Sequence, residues 1–539
     1  MLAHAASGCR ALVPTLDFPA MDPRATHMAR SSLVVMGAFL AAKVVGLLRE
    51  RAIAHAFGAS GEYDAYIAAF RIPDLLFTLI AGGALVSAFL PVFAGALATA
   101  GRERAWHAAS GITNLAFSAT AVLAASAAAA APWLVSHVIA PGFAAPQQAL
   151  TVSLMRIILV ATVVFSVSGV HMGVLNAFQH FLLPAVAPVV YNAGILAGAL
   201  WLAPRHGIMG LAYGVVLGAA LHLAVKVPGL VRYGFTWAPV FGLRDPDVRQ
   251  VLQLMWPRVL AMGAVQAVFL VNTRLASALA AGSLSALNYA WVLAQLPQTL
   301  LGTAVGTVAF PTLAEHAALG RADQLRRTAV GTLRVLLAFS LPATVALWVL
   351  GGAAIEVLLR TGRFDAQAGA ATLTALRMFA LGLTGHVMLE VVARVYYAQK
   401  DTLTPLYVGT AAMALNIALA LALVRTHGHA GLALANSVAV TQEVLMGLWI
   451  LGRRHGGFGG GELLGVLVRG VAASAVMALA MSAVLAQLPE VSGSPLTAGL
   501  ARLAAGAAVG AAAYVAAAAI VGLTDVRRGV LLAVRALRR

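Results

Sequence analysis

Charge is scarce in this 539-residue chain: 10% of its residues are Asp, Glu, Lys or Arg, against roughly a quarter in a soluble domain. Acidic residues are scarcest, 19 against 36 Lys and Arg, which leaves a formal charge of +17. A soluble enzyme of this size could not cover its surface with so few charges, and a disordered chain would not be 61% hydrophobic. The single cysteine, Cys9, excludes intrachain disulfides and Cys-based metal centres, and with them a disulfide-stapled secreted domain. Catalytic signatures are missing as well. There is no P-loop, HExxH, GxSxG or paired CxxC, and GGFGGG at 456–461 does not complete GxGxxG. That glycine run reads as a flexible connector. No cofactor, metal or enzymatic activity is expected. A monovalent-ion gradient, the membrane potential or a partner must supply any driving force.

What the chain does have is apolar length. Stretches able to cross a hydrocarbon core of about 30 Å recur almost throughout. About fourteen are expected, at 30–57, 62–96, 106–136, 147–177, 182–204, 207–230, 248–279, 283–314, 326–352, 366–397, 402–424, 430–452, 463–488 and 496–523. This is the pattern of an all-α polytopic membrane protein. Alternate loops separate by charge. One set collects Arg102, Arg104, Lys226, Arg232, Arg244, Arg249, Arg321, Arg326, Arg327, Lys400, Arg453 and Arg454 with the tail arginines 527–539, and the other holds Arg205, Arg360, Arg363 and Arg425. The basic excess therefore points to membrane topology and not to nucleic acid, with both termini cytoplasmic. Residues 1–27 resemble neither a signal peptide nor a span, and read as a disordered leader or as a segment preceding a natural start at Met28.

An internal repeat is visible. HGIMGLA at 206–212 matches HGHAGLA at 427–433, an offset of 221 that also places Ala177 and Pro184 on Ala398 and Pro405, and Phe143 on Phe364. At 220, Gly82, Ala84 and Pro91 fall on Gly302, Ala304 and Pro311. A unit of six spans has the same orientation in both copies, a parallel repeat of two facing lobes. The expected organisation is a leader (1–27), a six-helix lobe (28–245), a second six-helix lobe (246–455), an appended helix pair (456–523) and a basic cytoplasmic tail (524–539).

Ionisable residues within spans are costly and mark interior or hydrated surfaces. They concentrate early: Lys43, Arg49, Glu50 and Arg51, then Asp64, Arg71 and Asp74. Lys43 and Glu50 share a helix face, as do Asp64 and Arg71, and Arg71 and Asp74 are spaced to pair directly. Arg51 and Asp74 can also be read as interfacial residues reaching water. A basic cluster at membrane depth suits an anionic head group. Pro73 and Gly82-Gly83 should bend the second span, either to fit the bundle or as a hinge or gate. Arg274 beside Asn272 and Thr273 suits structural pairing and phosphate binding equally. Arg156, Arg258, Arg334 and Arg377 read as structural. Glu390, Glu443, Asn416 and Asn436 read as helix–helix glue or as a cation site.

The run KVVGLLRERAIAHAFGASGEYDAYIAAFRIPDLLFTLIAGGALVSAFLPVF, Lys43 to Phe93, resembles the start of the MurJ (MviN) lipid II flippases of the MOP exporter superfamily. APGF at 140–143, LNAFQHFLLPAVAPVVYN at 175–192, GSLSALNYAWVLAQLPQTLLGTAVGTVAFPTL at 282–313 and YYAQKDTLTP at 396–405 extend the resemblance over 28–455. It implies a flippase of the bacterial inner membrane that moves lipid-linked peptidoglycan precursor outward by alternating access. The implied substrate is a lipid-diphosphate-linked disaccharide-peptide, and cell-wall synthesis proteins are implied partners. Lys43 and Arg49 match cationic positions of the family's first span, Glu50 replaces a usual aspartate, and Asp64 matches the acidic position opening the second. The expected substrate-binding set is Lys43, Arg49, Glu50, Asp64, Arg71 and Arg274. Three positions depart from the family: Phe77 and Val292 stand where arginines are usual, and Gly82 where a glutamate is. Rival readings are a flippase for another undecaprenyl-linked glycan or a drug, or a membrane scaffold without transport.

Overall fold

The computed structural model describes residues 23–81, 83–488 and 495–526. Among them every regular element is helical, as hydrocarbon demands of a backbone that must satisfy its own hydrogen bonds. Eleven helices are long and apolar enough to cross a membrane. With Pro23–Phe57 and Pro246–Ala276 added, and with Leu403–Arg454 turning at Gly428, the arrangement is consistent with fourteen spans. In chain order they are α1 Pro23–Phe57, α2 Gly61–Thr99, α3 Gly101–Ala129, α4 Ala145–Ala177, α5 Leu182–His206, α6 Ile208–Arg232 and α7 Pro246–Ala276. Then come α8 Ser283–Ala318, α9 Ala322–Leu358 and α10 Ala366–Ala398, α11 (403–427) and α12 (429–454) either side of Gly428, α13 Gly460–Gln487 and α14 Pro495–Ile520. Residues 23–27 of the expected leader are helical; 1–22, and the tail from 527, lie outside the described residues.

The repeat is written into the backbone. Gln179 (φ 57°) and Lys400 (φ 60°), both non-glycine residues at positive φ, occupy matching turns. Gly207 and Gly428 share another matching turn, with φ of 57° and 54°. π-helical turns interrupt α2 at Phe77–Ala81 and α8 at Thr299–Thr303. Gly210 lies against the Leu202 backbone and its repeat mate Gly431 against Leu423, the close approach that small residues permit between membrane helices. The appended α13 and α14 pack on α9. Arg334 of α9 fastens them through Glu462 at 2.9 Å and Asp525 at 3.0 Å.

The two ends of the bundle differ. At the end carrying Ser60, connecting loops of the two repeats interlock. A Cβ on Gly58, at φ +61°, would collide with the Arg363 carbonyl, and one on Gly142 would lie 2.6 Å from Ala278 Cα. These contacts are images of one another, since the repeat carries 58 to 278 and 142 to 363. Arg51 donates to the Val357 and Leu358 carbonyls at this end. At the Thr99 end the connector 233–245 is strapped along α3. Asn114 Nδ2 donates to Ala238 O and Val240 O, both at 2.8 Å, and Arg104 meets Asp247 at 3.0 Å. Lys226, expected in a loop, is instead fully buried in α6, donating to Ser168 O at 2.8 Å.

Gly210→Ala forces a methyl into the Leu202 backbone, an overpacking cost of about 1–3 kcal/mol. A lowered thermal midpoint of the purified protein is expected, while Gly37→Ala, which meets nothing within 4 Å, should leave it unchanged. Equal midpoints for the two variants would refute this packing.

Candidate functional site

Pro73 and the π-helical turn divide α2 into Gly61–Ala69, Arg71–Leu76, Phe77–Ala81 and Gly83–Thr99. Gly82 lies outside the described residues, and Gly83 opens the last segment. An interruption of the span is present at Phe70, three residues before Pro73. Proline's missing N–H and fixed φ explain where it falls, and the broken helix turns Arg71 and Asp74 toward α7 and α8.

Three cavities that share lining residues lie between the lobes. One, about 470 Å³, lies among α1, α5 and α8 and is walled by Phe39, Lys43, Pro184, Pro188, Asn192 and Val292. The second, about 270 Å³, shares Arg49 and Val292 with it and adds Glu50, Tyr63, Tyr66 and Asn288. The third, about 340 Å³, shares Arg71, Asp74 and Asn288 with the second and adds Gln266, Asn272, Trp291 and Asn436. Ionisable residues of the three are Lys43, Arg49 and Arg71 against Glu50 and Asp74.

Each charge is held differently. The Arg49 guanidinium pairs with Glu50 and donates to Asn192 Oδ1 at 2.8 Å. Glu50, 3% exposed, also accepts from Tyr63 OH at 3.3 Å, and Asn288 Nδ2 donates to that hydroxyl at 3.2 Å. Lys43, at the mouth, has no carboxylate partner among the described residues; its ammonium lies 6.0 Å from the Phe39 ring centroid. The spacing-based pairing of Arg71 with Asp74 does not close. Arg71 instead stacks over Phe269 at 5.8 Å, and its buried Nε has no protein partner.

Asp64 does not face the chambers' cations. Its carboxylate, 2% exposed, accepts from the Gly282 N–H at 2.6 Å, the Ser285 N–H at 2.7 Å and Ser285 Oγ at 2.6 Å. The capping residue Gly282 has no side chain to satisfy the start of α8, so a carboxylate from the first lobe caps a helix of the second, where it also meets the positive end of the helix dipole. Arg274 lies elsewhere. It is exposed, donates to the His137 carbonyl and lines none of the three chambers. The second-lobe polar set is divided: Glu390 pairs with Arg394, while Asn436 bonds His386 at 3.0 Å.

The chain matches the family described as "Lipid II flippase MurJ" over residues 53–499. It is 33% identical to the lipid II flippase MurJ of Burkholderia cenocepacia, the alignment covering 80% of this chain and 84% of that one. It is 32% identical to a probable lipid II flippase MurJ of Rhizobium tropici, over 76% and 78% of the two chains. This chain belongs to the MurJ family. Its fold matches a lipid II flippase MurJ structure in an inward closed conformation, with a TM-score of 0.77 at 22% identity, covering 90% of this chain and 98% of that one. An inward-facing MATE transporter of the MOP superfamily follows at TM-score 0.65 and 14% identity, over 79% and 98%.

Against that family background, Phe77 packs edge-on to Phe165 at 5.2 Å, and Val292 forms part of the wall between the first two chambers. Neither position supplies charge. Sequence reasoning missed Asn192, Tyr63, Gln266, Asn288 and Trp291. Uncharged polar and aromatic side chains are common in spans, and no spacing signals that these five converge.

Asp64→Ala strips three donors of their acceptor, at a cost of about 1–3 kcal/mol per buried group left unpaired. The interlocked end should loosen. A cysteine at Leu284, which is 4% exposed, should then react several-fold faster with a membrane-impermeant thiol reagent than the same cysteine beside intact Asp64. Unchanged reactivity would show that the cap does not hold this end shut.

Proposed function

We infer that this MurJ-family protein is a flippase for lipid-linked peptidoglycan precursor, lipid II, carrying it from the inner to the outer leaflet of the cytoplasmic membrane by alternating access. The observation that carries the reading is the cavity lined by α1, α5 and α8. An apolar mouth with one uncompensated cation, Lys43, leads to Arg49 and then to a polar interior. A polyprenyl tail can remain in lipid at that mouth while its diphosphate leaves it. Lys43 supplies net positive charge, and Arg49 supplies planar N–H donors suited to phosphate oxygens. Glu50 competes for the same guanidinium. Phosphate binding would draw Arg49 from Glu50, and release would return it.

The basic loops gather at the Thr99 end, which supports placing that end and both termini in the cytoplasm. The interlocked Ser60 end then faces outward. In this orientation each negative charge moved outward across a membrane negative inside gains about 2.3 kcal/mol per 100 mV. No covalent step is required, so the protein acts as a transporter and not as an enzyme. Phe77 and Val292, apolar where the family usually carries arginine, favour a second reading: a flippase for another undecaprenyl-linked glycan.

Complementation of a bacterium depleted of its own flippase tests both. Wild type should restore growth; Arg49→Ala at matched expression should abolish rescue, and Lys43→Ala should weaken it. Failure of well-inserted wild type would favour a different lipid-linked glycan. Full rescue by both variants would leave the function standing and remove these residues from its site.

A further inference from the structure

Lys226 is fully buried in α6, yet no carboxylate lies within ion-pair distance of it among the described residues. Its Nζ donates to the Ser168 carbonyl of α4 at 2.8 Å and lies 3.3 Å from His222 Nδ1, one turn earlier on its own helix. Ser168 Oγ meets the same ring nitrogen at 2.8 Å. A contact between two nitrogen bases needs an N–H on one and a lone pair on the other. It accommodates one positive charge and not two, because a second proton would press like charges together in an interior that screens them little. Lys226 and His222 therefore form a one-proton site.

Helix packing alone does not call for a lysine here. The internal repeat carries Lys226 to Gly447 at offset 221. There the second lobe ties the same pair of helices with a neutral group, the Tyr396 hydroxyl of α10 donating to the Gly447 carbonyl of α12 at 2.6 Å. α6 packs on α4, α5 and the first segment of α2. From α4, His171 lies within electrostatic reach of Lys226, and its buried Nδ1 has no protein partner. Arg205 and His206 of α5 precede the start of α6, and Glu62 and Asp64 of α2 are engaged at the Ser60 end by Arg363 and α8. Arg232, further along α6, is exposed. The pair also reaches the cavity that holds Arg49. His222 meets the Phe165 ring edge-on at 5.0 Å, and Phe165 meets Tyr191 at 5.0 Å and Phe77, in the π-helical turn of α2, at 5.2 Å. Tyr191 lines the cavity beside Arg49 and Glu50.

We propose that Lys226 and His222 hold one exchangeable proton whose binding is linked to the filling of the Arg49 cavity: an anionic guest entering the cavity draws a proton onto the pair, and loss of that proton weakens the guest's hold. This rests on the lipid-linked reading above for its guest, a lipid diphosphate, and goes beyond it by assigning a second ligand, the proton. The sign of the linkage follows from charge. A negative guest stabilises a positive pair across a single aromatic ring, which screens little, and the effect is reciprocal. His222 is half-buried and Lys226 fully buried, so His222 is the point of exchange with water at the Thr99 end. The proton comes from that water and returns to it when the guest leaves.

The test is calorimetric titration of complete lipid II into the purified full-length protein, in pairs of buffers with unlike ionisation heats, at pH values from about 6 to about 9. The difference between buffers counts the protons taken up per lipid bound. Protons exchanged by the lipid itself are the same in every variant, so a difference from wild type reports the pair. The double variant Lys226→Gln with His222→Gln keeps neutral hydrogen-bonding groups and removes both bases. In part of the range wild type should take up more protons than it, by up to about one per lipid, and wild-type affinity should fall several-fold as pH rises through that part. Either single variant leaves one base and should move the pH of greatest uptake. A thermal midpoint in the wild-type range shows that the double variant is folded. Equal proton counts at every pH in wild type and the folded double variant overturn the proposal. If the double variant does not fold, unmoved profiles in both single variants overturn it instead. If wild type binds no lipid II, the lipid-linked reading falls and takes the linkage with it, an outcome plainly different from binding without proton uptake.

Discussion

A carboxylate buried between two halves of a membrane bundle must be neutralised where it stands, because hydrocarbon offers no water to do it. Asp64 meets that requirement with the first N–H groups of α8 and the Ser285 hydroxyl. The arrangement ties the lobes in a way that apolar packing could not. Lipid solvates a separated apolar surface almost as well as a partner helix does, whereas an abandoned carboxylate finds nothing. The closed end, the orientation of α8 and the positions of Asn288 and Trp291 on it all follow from where that helix begins.

The two-lobe architecture imposes symmetry, and the site departs from it. Matching turns at Gln179 and Lys400, matching glycines at 207 and 428, and matching π-helical turns in α2 and α8 show that the scaffold repeats closely. The chamber walls do not. Lys43, Arg49 and Arg71 belong to the first copy, while Phe269, Trp291 and three of the four carboxamides belong to the seventh and eighth helices.

Much of this was legible in the residues. Apolar length marked the spans, HGIMGLA and HGHAGLA marked the repeat, and the density of ionisable groups in α1 and α2 marked the cationic half of the cavity. Charge is a rare event in such a sequence, so it carries information. Carboxamides and aromatics are not rare enough to stand out, and Asn192, Asn288 and Trp291 converge only through packing. Arg274 misled because a lone arginine near a span end reads alike whether it meets a ligand or, as here, the His137 carbonyl. Asp64 was expected in the substrate-binding set and instead caps a helix, because its partner, a backbone 218 residues further on, leaves no trace in side-chain pattern. Lys226 deceived for the opposite reason. A basic residue close to a loop is normally solvated, and only the packed structure reveals its burial beside Ser168.

The interlocked loops have a kinetic consequence. The contact of Gly58 with Arg363 and that of Gly142 with Ala278 are exchanged by the same pseudo-twofold axis that relates the lobes. A rotation of one lobe about an axis that perpendicularly meets that pseudo-twofold displaces both contacts by the same distance, so along such a path neither releases before the other. Along that path the seal at the Ser60 end breaks in a single activated event, without a long-lived half-open species through which ions could leak.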